Sequence, residues 1–127
     1  MKELIKQNEF GISVLDKDKS VRVDSRYIAE VFDKRHSNII RDIENILSED
    51  SGYSDKFRRL NFELAKYKDA QGKLRKKYLL TRDAFTLLVF GFTGSKANQF
   101  KEWYINRFNE MEERLQSLML VMKGVLQ

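Results

Sequence analysis

Apolar residues recur along the chain in two rhythms, and these divide it into alternating strands and helices. Residues 10–15 (Phe-Gly-Ile-Ser-Val-Leu) and 21–23 (Val-Arg-Val) are short strand-like runs. The turn-forming Asp16-Lys17-Asp18-Lys19 between them predicts a small hairpin. Ile28, Ala29 and Phe32 then repeat at helical spacing and predict a short helix over 26–32, behind the capping residues Asp24 and Ser25. Asp33-Lys34-Arg35 breaks that pattern. A second helix follows from about His36 to Leu47, with Ile39, Ile40, Ile43, Ile46 and Leu47 as its apolar stripe. Ser48 to Asp55 reads as a polar loop. Phe62, Leu64, Tyr78 and Leu79 flank the turn signal Asp69-Ala70-Gln71-Gly72, which predicts a second hairpin over 62–80. Thr81 is placed to cap a helix from Arg82 to about Phe90, with Asp83 in its first turn. Gly91 and Gly94 bracket a break, and a long final helix runs from near Ser95 towards Lys123.

Composition narrows the chemistry. The chain of 127 residues has no cysteine, so disulfides, thiol catalysis and cysteine-based zinc sites are excluded, and the single histidine, His36, excludes a multi-histidine metal centre. The longest apolar stretch, Ala84 to Phe92, is interrupted by Thr86 and Gly91 and is too short to span a bilayer. No secretion signal follows the charged start Met1-Lys2-Glu3. The expectation is a soluble cytoplasmic protein without a membrane partner.

The net charge of +5 is modest, but it is unevenly spread. Between Lys56 and Arg82 stand ten basic residues and only Glu63 and Asp69 as acids. Such a concentration suits a phosphate-binding surface. A solvated basic face with no partner has the same composition.

Residues 25–43 carry the most informative constellation. Helix-turn-helix sequences pair Ile-Ala in the first helix with an apolar residue three positions on, then a tight turn, then apolar residues four apart. Here Ile28-Ala29, Phe32, and Ile39 with Ile43 hold those places. The small Ala lets the helices approach, the branched residues lock their crossing, and the outer face of the second helix is left for a major groove. Asp33 stands where the turn usually has Gly, and Lys34 where an apolar residue is common. Two core helices joined by a turn fit the same pattern. If the second helix reads bases, Asn38, Arg41 and Asn45 are its candidates, since Asn and Arg can make paired contacts to adenine and guanine edges. Lys34 and Arg35 would lie near phosphates, whereas Asp42 and Glu44 keep part of the helix away from a polyanion. His36 reads as an ordinary helix-start residue.

The second hairpin supplies further phosphate candidates: Lys66, Lys68, Lys73, Arg75, Lys76 and Lys77. A strand pair carrying them resembles a wing riding along the backbone, giving affinity and salt dependence with little sequence preference. In the final helix Tyr104, Phe108, Met111, Leu115, Leu118 and Met122 follow one another at steps of four and three, a heptad seam. Phe108, Met111, Leu115, Leu118 and Met122 are the candidate dimer seam; the alternative is that the helix folds back on its own domain. Nothing supports catalysis. His36 has no partner at triad spacing, there is no Gly-rich phosphate loop, and no carboxylate cluster suggests a metal.

The order of features resembles the phage regulatory protein Rha family. The resembling segments are 23–25 through 41–43, then Leu60-Asn61-Phe62-Glu63-Leu64, Tyr67-Lys68-Asp69 and Gln71-Gly72. Most specific is Tyr78-Leu79-Leu80-Thr81-Arg82-Asp83-Ala84-Phe85-Thr86-Leu87-Leu88-Val89, continuing as Gly91-Phe92-Thr93-Gly94-Ser95-Lys96-Ala97 and then Phe100-Lys101, Tyr104-Ile105 and Phe108-Asn109. Ala84 stands where the family commonly has Gly, and Ser95 where it commonly has Lys. The resemblance implies a regulator encoded by a temperate phage or prophage that influences the choice between lysogeny and lytic growth. It also implies kinship with antirepressor-type domains, and no catalytic residue.

The expectation is therefore an α+β protein. A winged helix-turn-helix-like regulatory domain with β-hairpins occupies residues 1–112, and the end of the long C-terminal helix, residues 113–127, is a dimerisation segment. Duplex DNA is the expected partner of a homodimer in the bacterial host cytoplasm, with no cofactor. The alternative is an antirepressor-like module that binds a repressor or host protein.

Overall fold

The computed structural model describes residues 22–126. The expected strand at 10–15, its turn and Val21 lie outside the described residues. Within them the order is β1 (Val23–Asp24), α1 (Ser25–Val31), α2 (His36–Leu47), a 3₁₀ turn (Glu49–Ser51), α3 (Asp55–Asn61), β2 (Phe62–Lys68), β3 (Leu74–Leu80), α4 (Arg82–Phe90) and α5 (Ser95–Leu126). The class is α+β, with one antiparallel sheet ordered β1-β3-β2. The chain divides into two units, one ending at Phe92 and one starting at Thr93.

Local chemistry sets the boundaries. The Asp24 carboxylate accepts from the Arg26 N–H at 2.8 Å and caps α1, and the Thr81 hydroxyl accepts from the Ala84 N–H at 3.2 Å and caps α4. Helix α1 ends in a compact turn: the Lys34 N–H donates to the Ala29 carbonyl at 2.9 Å and the Asp33 N–H to Glu30 at 3.3 Å. Asp33 has φ 53°, the left-handed conformation that closes such a helix end. The aspartate in place of the usual glycine thus occupies the position where a left-handed residue is needed.

Helix α3 departs from the sequence reading, in which the polar run before it continues as a loop through Asp55. Its start is nonetheless signalled: the Ser54 hydroxyl accepts from the Phe57 N–H at 3.1 Å, and Asp55 sits in the first turn. The long helix reaches Leu126, a little past the expected Lys123.

The strand predicted at 21–23 is represented by β1, which pairs with β3 through Val23↔Leu80 and Asp24↔Leu79. The hairpin register runs from Phe62↔Leu80 to Lys68↔Leu74. The core of the first unit contains the expected residues of α1 and most of the expected stripe of α2. Ile46 and Leu47 are only half-buried, and residues of β3 and α4 are added. Ile28, Ala29 and Phe32 of α1, Ile39, Ile40 and Ile43 of α2, Phe62, Leu80, and Phe85, Leu88 and Val89 of α4 are all buried. The Phe32 ring contacts Phe85 and Phe92 at centroid distances of 6.2 and 5.6 Å. In the second unit Phe100 is buried and lies beside Trp103 and Tyr104. No helix among the described residues is long and apolar enough to cross a membrane.

Candidate functional site

Helix α2 turns its isoleucines inward, which leaves Ser37, Arg41 and Asn45 exposed, one helical turn apart in succession. Asn38 is half-buried beside them, and Arg41 Nη1 donates to its Oδ1 at 3.2 Å. Arg41 also lies 3.5 Å from Asp42. The three polar side chains expected to read bases therefore share one side of the helix, with Arg41 and Asn38 already in contact. Arg35, the residue before α2, is exposed, whereas Lys34 places its ammonium over the Phe92 ring at 4.8 Å.

The hairpin separates cations that stand together in the sequence. Directly opposed residues of an antiparallel pair share a face. Lys66, Lys68, Lys76, Leu64 and Leu74 therefore lie on one face, and Arg75, Lys77 and Tyr67 on the other. Lys73 belongs to the turn. Lys66 stands directly opposite Lys76, a like-charge pairing that would be unfavourable alone. Glu44 of α2 relieves it: Lys76 Nζ and the Tyr78 hydroxyl both donate to its Oε2, at 2.5 and 3.1 Å.

The other two β3 cations are held as well. Lys77 Nζ lies 2.7 Å from Asp24, and Arg75 Nε lies 2.9 Å from Asp69. Asp69 further accepts from the N–H groups of Gln71 and Lys73, both at 2.9 Å, and so organises the turn. By contrast, no side-chain ion pair engages Lys66, Lys68, Lys73 or Arg35 among the described residues.

These contacts set the local electrostatics. The Lys76 hydrogen bond holds the Glu44 carboxyl below its ordinary value, and the Arg75 hydrogen bond does the same for Asp69. Burial, reinforced by Glu44, pushes the Tyr78 phenol up to about 12. Burial also lowers His36, against the opposing pull of Asp24 and with help from Arg26 and Lys77.

His36 belongs to a small structural knot. Its Nε2 lies 2.9 Å from the Ser25 hydroxyl, which accepts from the Tyr78 N–H at 3.0 Å. A neutral ring accepting at Nε2 lets Ser25 satisfy both partners. The His36 ring meets the edge of Tyr67, over which Arg26 stacks at 3.9 Å. Ser25 is fully buried, so its hydroxyl cannot reach a substrate despite the neighbouring imidazole. Sequence reasoning missed this knot and the acids Asp24, Glu44 and Asp69 as partners of the basic hairpin. Only Asp69, six residues from Arg75 within a turn signal, had a local cue.

The C-terminal seam residues lie on one helix. Phe108, Leu115, Leu118 and Met122 are more than half exposed, and Met111 is half-buried.

Comparison with known proteins supplies the lineage. The family model of phage regulatory protein Rha matches residues 23–113. The chain belongs to that family. A protein of Haemophilus influenzae, described as uncharacterized, is 42% identical over 115 residues, covering 90% of this chain and 64% of its own length. The SPbeta prophage-derived putative antirepressor protein YoqD of Bacillus subtilis is 33% identical over 110 residues, covering 86% of this chain and 43% of its own. A 22.8 kDa protein of Salmonella phage P22, encoded between gp15 and gp3, is 35% identical over 120 residues, covering 91% and 57%. The chain thus spans about half the length of these relatives. No solved structure matches. The Rha match includes every base and phosphate candidate and ends at Glu113, before Leu115, Leu118 and Met122.

Proposed function

We propose that this Rha-family chain is a phage or prophage transcriptional regulator that binds duplex DNA as a winged helix-turn-helix. Helix α2 would enter the major groove, with Asn38, Arg41 and Asn45 as base contacts. The observation that carries this reading is the outward side of α2, where those three residues stand opposite the buried Ile39, Ile40 and Ile43. The β2–β3 hairpin would serve as the wing, and its tie to α2 through Glu44 favours a fixed relation between wing and reader. Lys66, Lys68, Lys73 and Arg35 are the phosphate contacts best supported, because no ion pair among the described residues already matches their charges. Two copies would present two reader helices to half-sites of a rough palindrome. The role is regulatory and not enzymatic, in the cytoplasm of the bacterial host.

Footprinting on the regulatory region of the encoding phage, with a salt titration, tests this reading. Arg41→Ala should cost about 1–3 kcal/mol on the preferred site and much less on random DNA. An equal effect on both would demote Arg41 to a phosphate contact.

A second reading, an antirepressor-like module that binds a repressor or host protein, has its own support. The Bacillus relative is named as a putative antirepressor. In addition, Leu64 and Leu74, 58% and 59% exposed, share a hairpin face with Lys66 and Lys68. Leucines gain nothing from a phosphate backbone, whereas an acidic partner with apolar side chains would use both residue types. A co-purifying repressor with no protected DNA would favour this second reading.

A further inference from the structure

From Phe108 to Val125, α5 carries most of the exposed large apolar side chains among the described residues. Phe108, Leu115, Leu118, Met122 and Val125 are 52–78% exposed, too much large apolar surface along one line to be left in water. We propose that two copies pair through α5 in parallel and in register from Phe108 to Val125. The pairing rests on the two-copy part of the function proposed above and is independent of DNA contact.

The spacing selects a helix of the same kind as the partner. From Tyr104 the apolar positions step by four, three, four, three, four and three to Val125. That mean period of 3.5 keeps a seam facing a supercoiling neighbour helix, whereas a straight helix on a globular core drifts away from it. Asn109, Glu110, Glu113, Gln116 and Ser117 occupy the positions away from the seam and are exposed. Beyond them the apolar surface widens: Met119 and Val121 flank the seam on its two sides, and Leu120, 69% exposed, lies on the outer side with Glu113. In a two-stranded coil both flanking positions cover the core.

Charge selects the orientation. Arg107 and Arg114 each precede a seam residue, while Glu112 follows one. In a parallel, in-register pair each flanking residue before a seam position faces the flanking residue five places on in the other copy. Arg107 then faces Glu112 of the second copy. Arg107 is held along its own helix by Glu110 at 2.7 Å, and Arg114 has no ion pair among the described residues. An antiparallel pair with the same seam overlap would join like flanks, setting Arg114 near Val121 and Glu112 near Met119. Neither charge then meets an opposite one. The parallel arrangement leaves Arg114 opposite Met119 but gives Arg107 a facing carboxylate, so it is better matched by that one pair.

The absence of native cysteine makes the test direct, since any introduced thiol is unique. In the full chain at tens of micromolar, Phe108→Cys should cross-link to a dimer under mild oxidation. Parallel register sets position 108 against itself, whereas an antiparallel pair sets it against position 125. Glu113→Cys, on the outer side, should cross-link at least several-fold more slowly. Arg107→Glu should weaken the dimer in sedimentation, and Glu112→Arg added to it should restore the affinity. This rescue is independent of any disturbance caused by the cysteine. Equal cross-linking of the two cysteine variants without charge rescue would overturn the parallel register. Efficient cross-linking only between Phe108→Cys and Val125→Cys chains would establish the antiparallel pair instead. A monomeric full chain would remove the pairing altogether. A cross-linked parallel dimer that protects no DNA would sink the DNA reading and leave the pairing intact.

Discussion

The two strands of the β2–β3 hairpin differ in what their cations face. On β3, Arg75, Lys76 and Lys77 each meet a carboxylate of the same unit, namely Asp69, Glu44 and Asp24. On β2, Lys66 and Lys68 meet none among the described residues, and Lys66 even stands opposite Lys76. Three of the basic groups therefore bind the hairpin to the turn, to α2 and to the start of α1. The remaining ones are the charges available to a partner. A run of positive charge in a sequence thus measures what a surface contains and not what it can offer.

The largest expected effect comes from neutralising each group in turn. Replacing Lys66, Lys68 and Lys73 with Ala should weaken binding to any duplex and flatten the slope of log affinity against log salt by about 0.9 for each phosphate no longer neutralised. Fold stability should hardly change, as measured by urea denaturation. Replacing Arg75, Lys76 and Lys77 should do the reverse, lowering stability with a smaller change in slope. If both triple variants flatten the slope equally, the internal ion pairs do not withhold those charges from DNA.

Double-mutant cycles sharpen the β3 side. The Asp24–Lys77 pair is the less exposed, with 31% and 19% of the side chains accessible, and should show a coupling of about 1 kcal/mol. The Glu44–Lys76 pair, at 40% and 51%, should show only about half that after solvent screening. The opposite ranking would mean that exposure does not govern these pairs.

A smaller effect concerns pH. Burial holds His36 below its ordinary 6.5, so its contribution to stability is whole above that value and is lost as pH falls through the lower folded value. Chemical denaturation between pH 7.5 and 5 should therefore show declining stability, and His36→Gln should reduce the slope. Glu44 acts in a lower window: its depressed carboxyl contributes fully above the ordinary 4.5 and loses that contribution only in stronger acid. A wild-type slope that survives unchanged in His36→Gln would place the titrating group elsewhere.

The smallest expected change is at the turn between α1 and α2. Asp33 has φ 53°, a conformation that Gly adopts without steric cost. Asp33→Gly should leave stability within about 1 kcal/mol of wild type, because relief of strain is offset by the greater freedom of the unfolded chain. Asp33→Val should destabilise clearly more, since a β-branched residue is a genuine outlier there. Comparable melting temperatures for the two variants would contradict the role assigned to this turn.

Most of the elements were legible because each depends on neighbours in the chain. The spacing of Ile39, Ile40 and Ile43 determines a helix and its buried side, Thr81 determines where α4 starts, and Asp69 to Gly72 determines where the hairpin turns. Helix α3 escaped because its capping serine lies at the end of a polar run that also suits a loop. The outward side carrying Asn38, Arg41 and Asn45 was legible for the same reason as the inward one: both follow from a single helical period.

By itself, then, the sequence determined most of the strands and helices, the inward sides of α1 and α2, the outer side of α2 and the heptad seam of α5, all consequences of short-range periodicity. Only the tertiary structure decided which cations are already matched. Glu44 is 32 residues from Lys76, and Asp24 is 53 from Lys77, so no local pattern announces either pair. Strand register also sets Lys66 opposite Lys76, and packing buries Ser25 against His36 and the Tyr78 backbone. The physical reason is range: a period acts over a few residues, whereas a charge is matched by whatever the fold brings within about 4 Å of it.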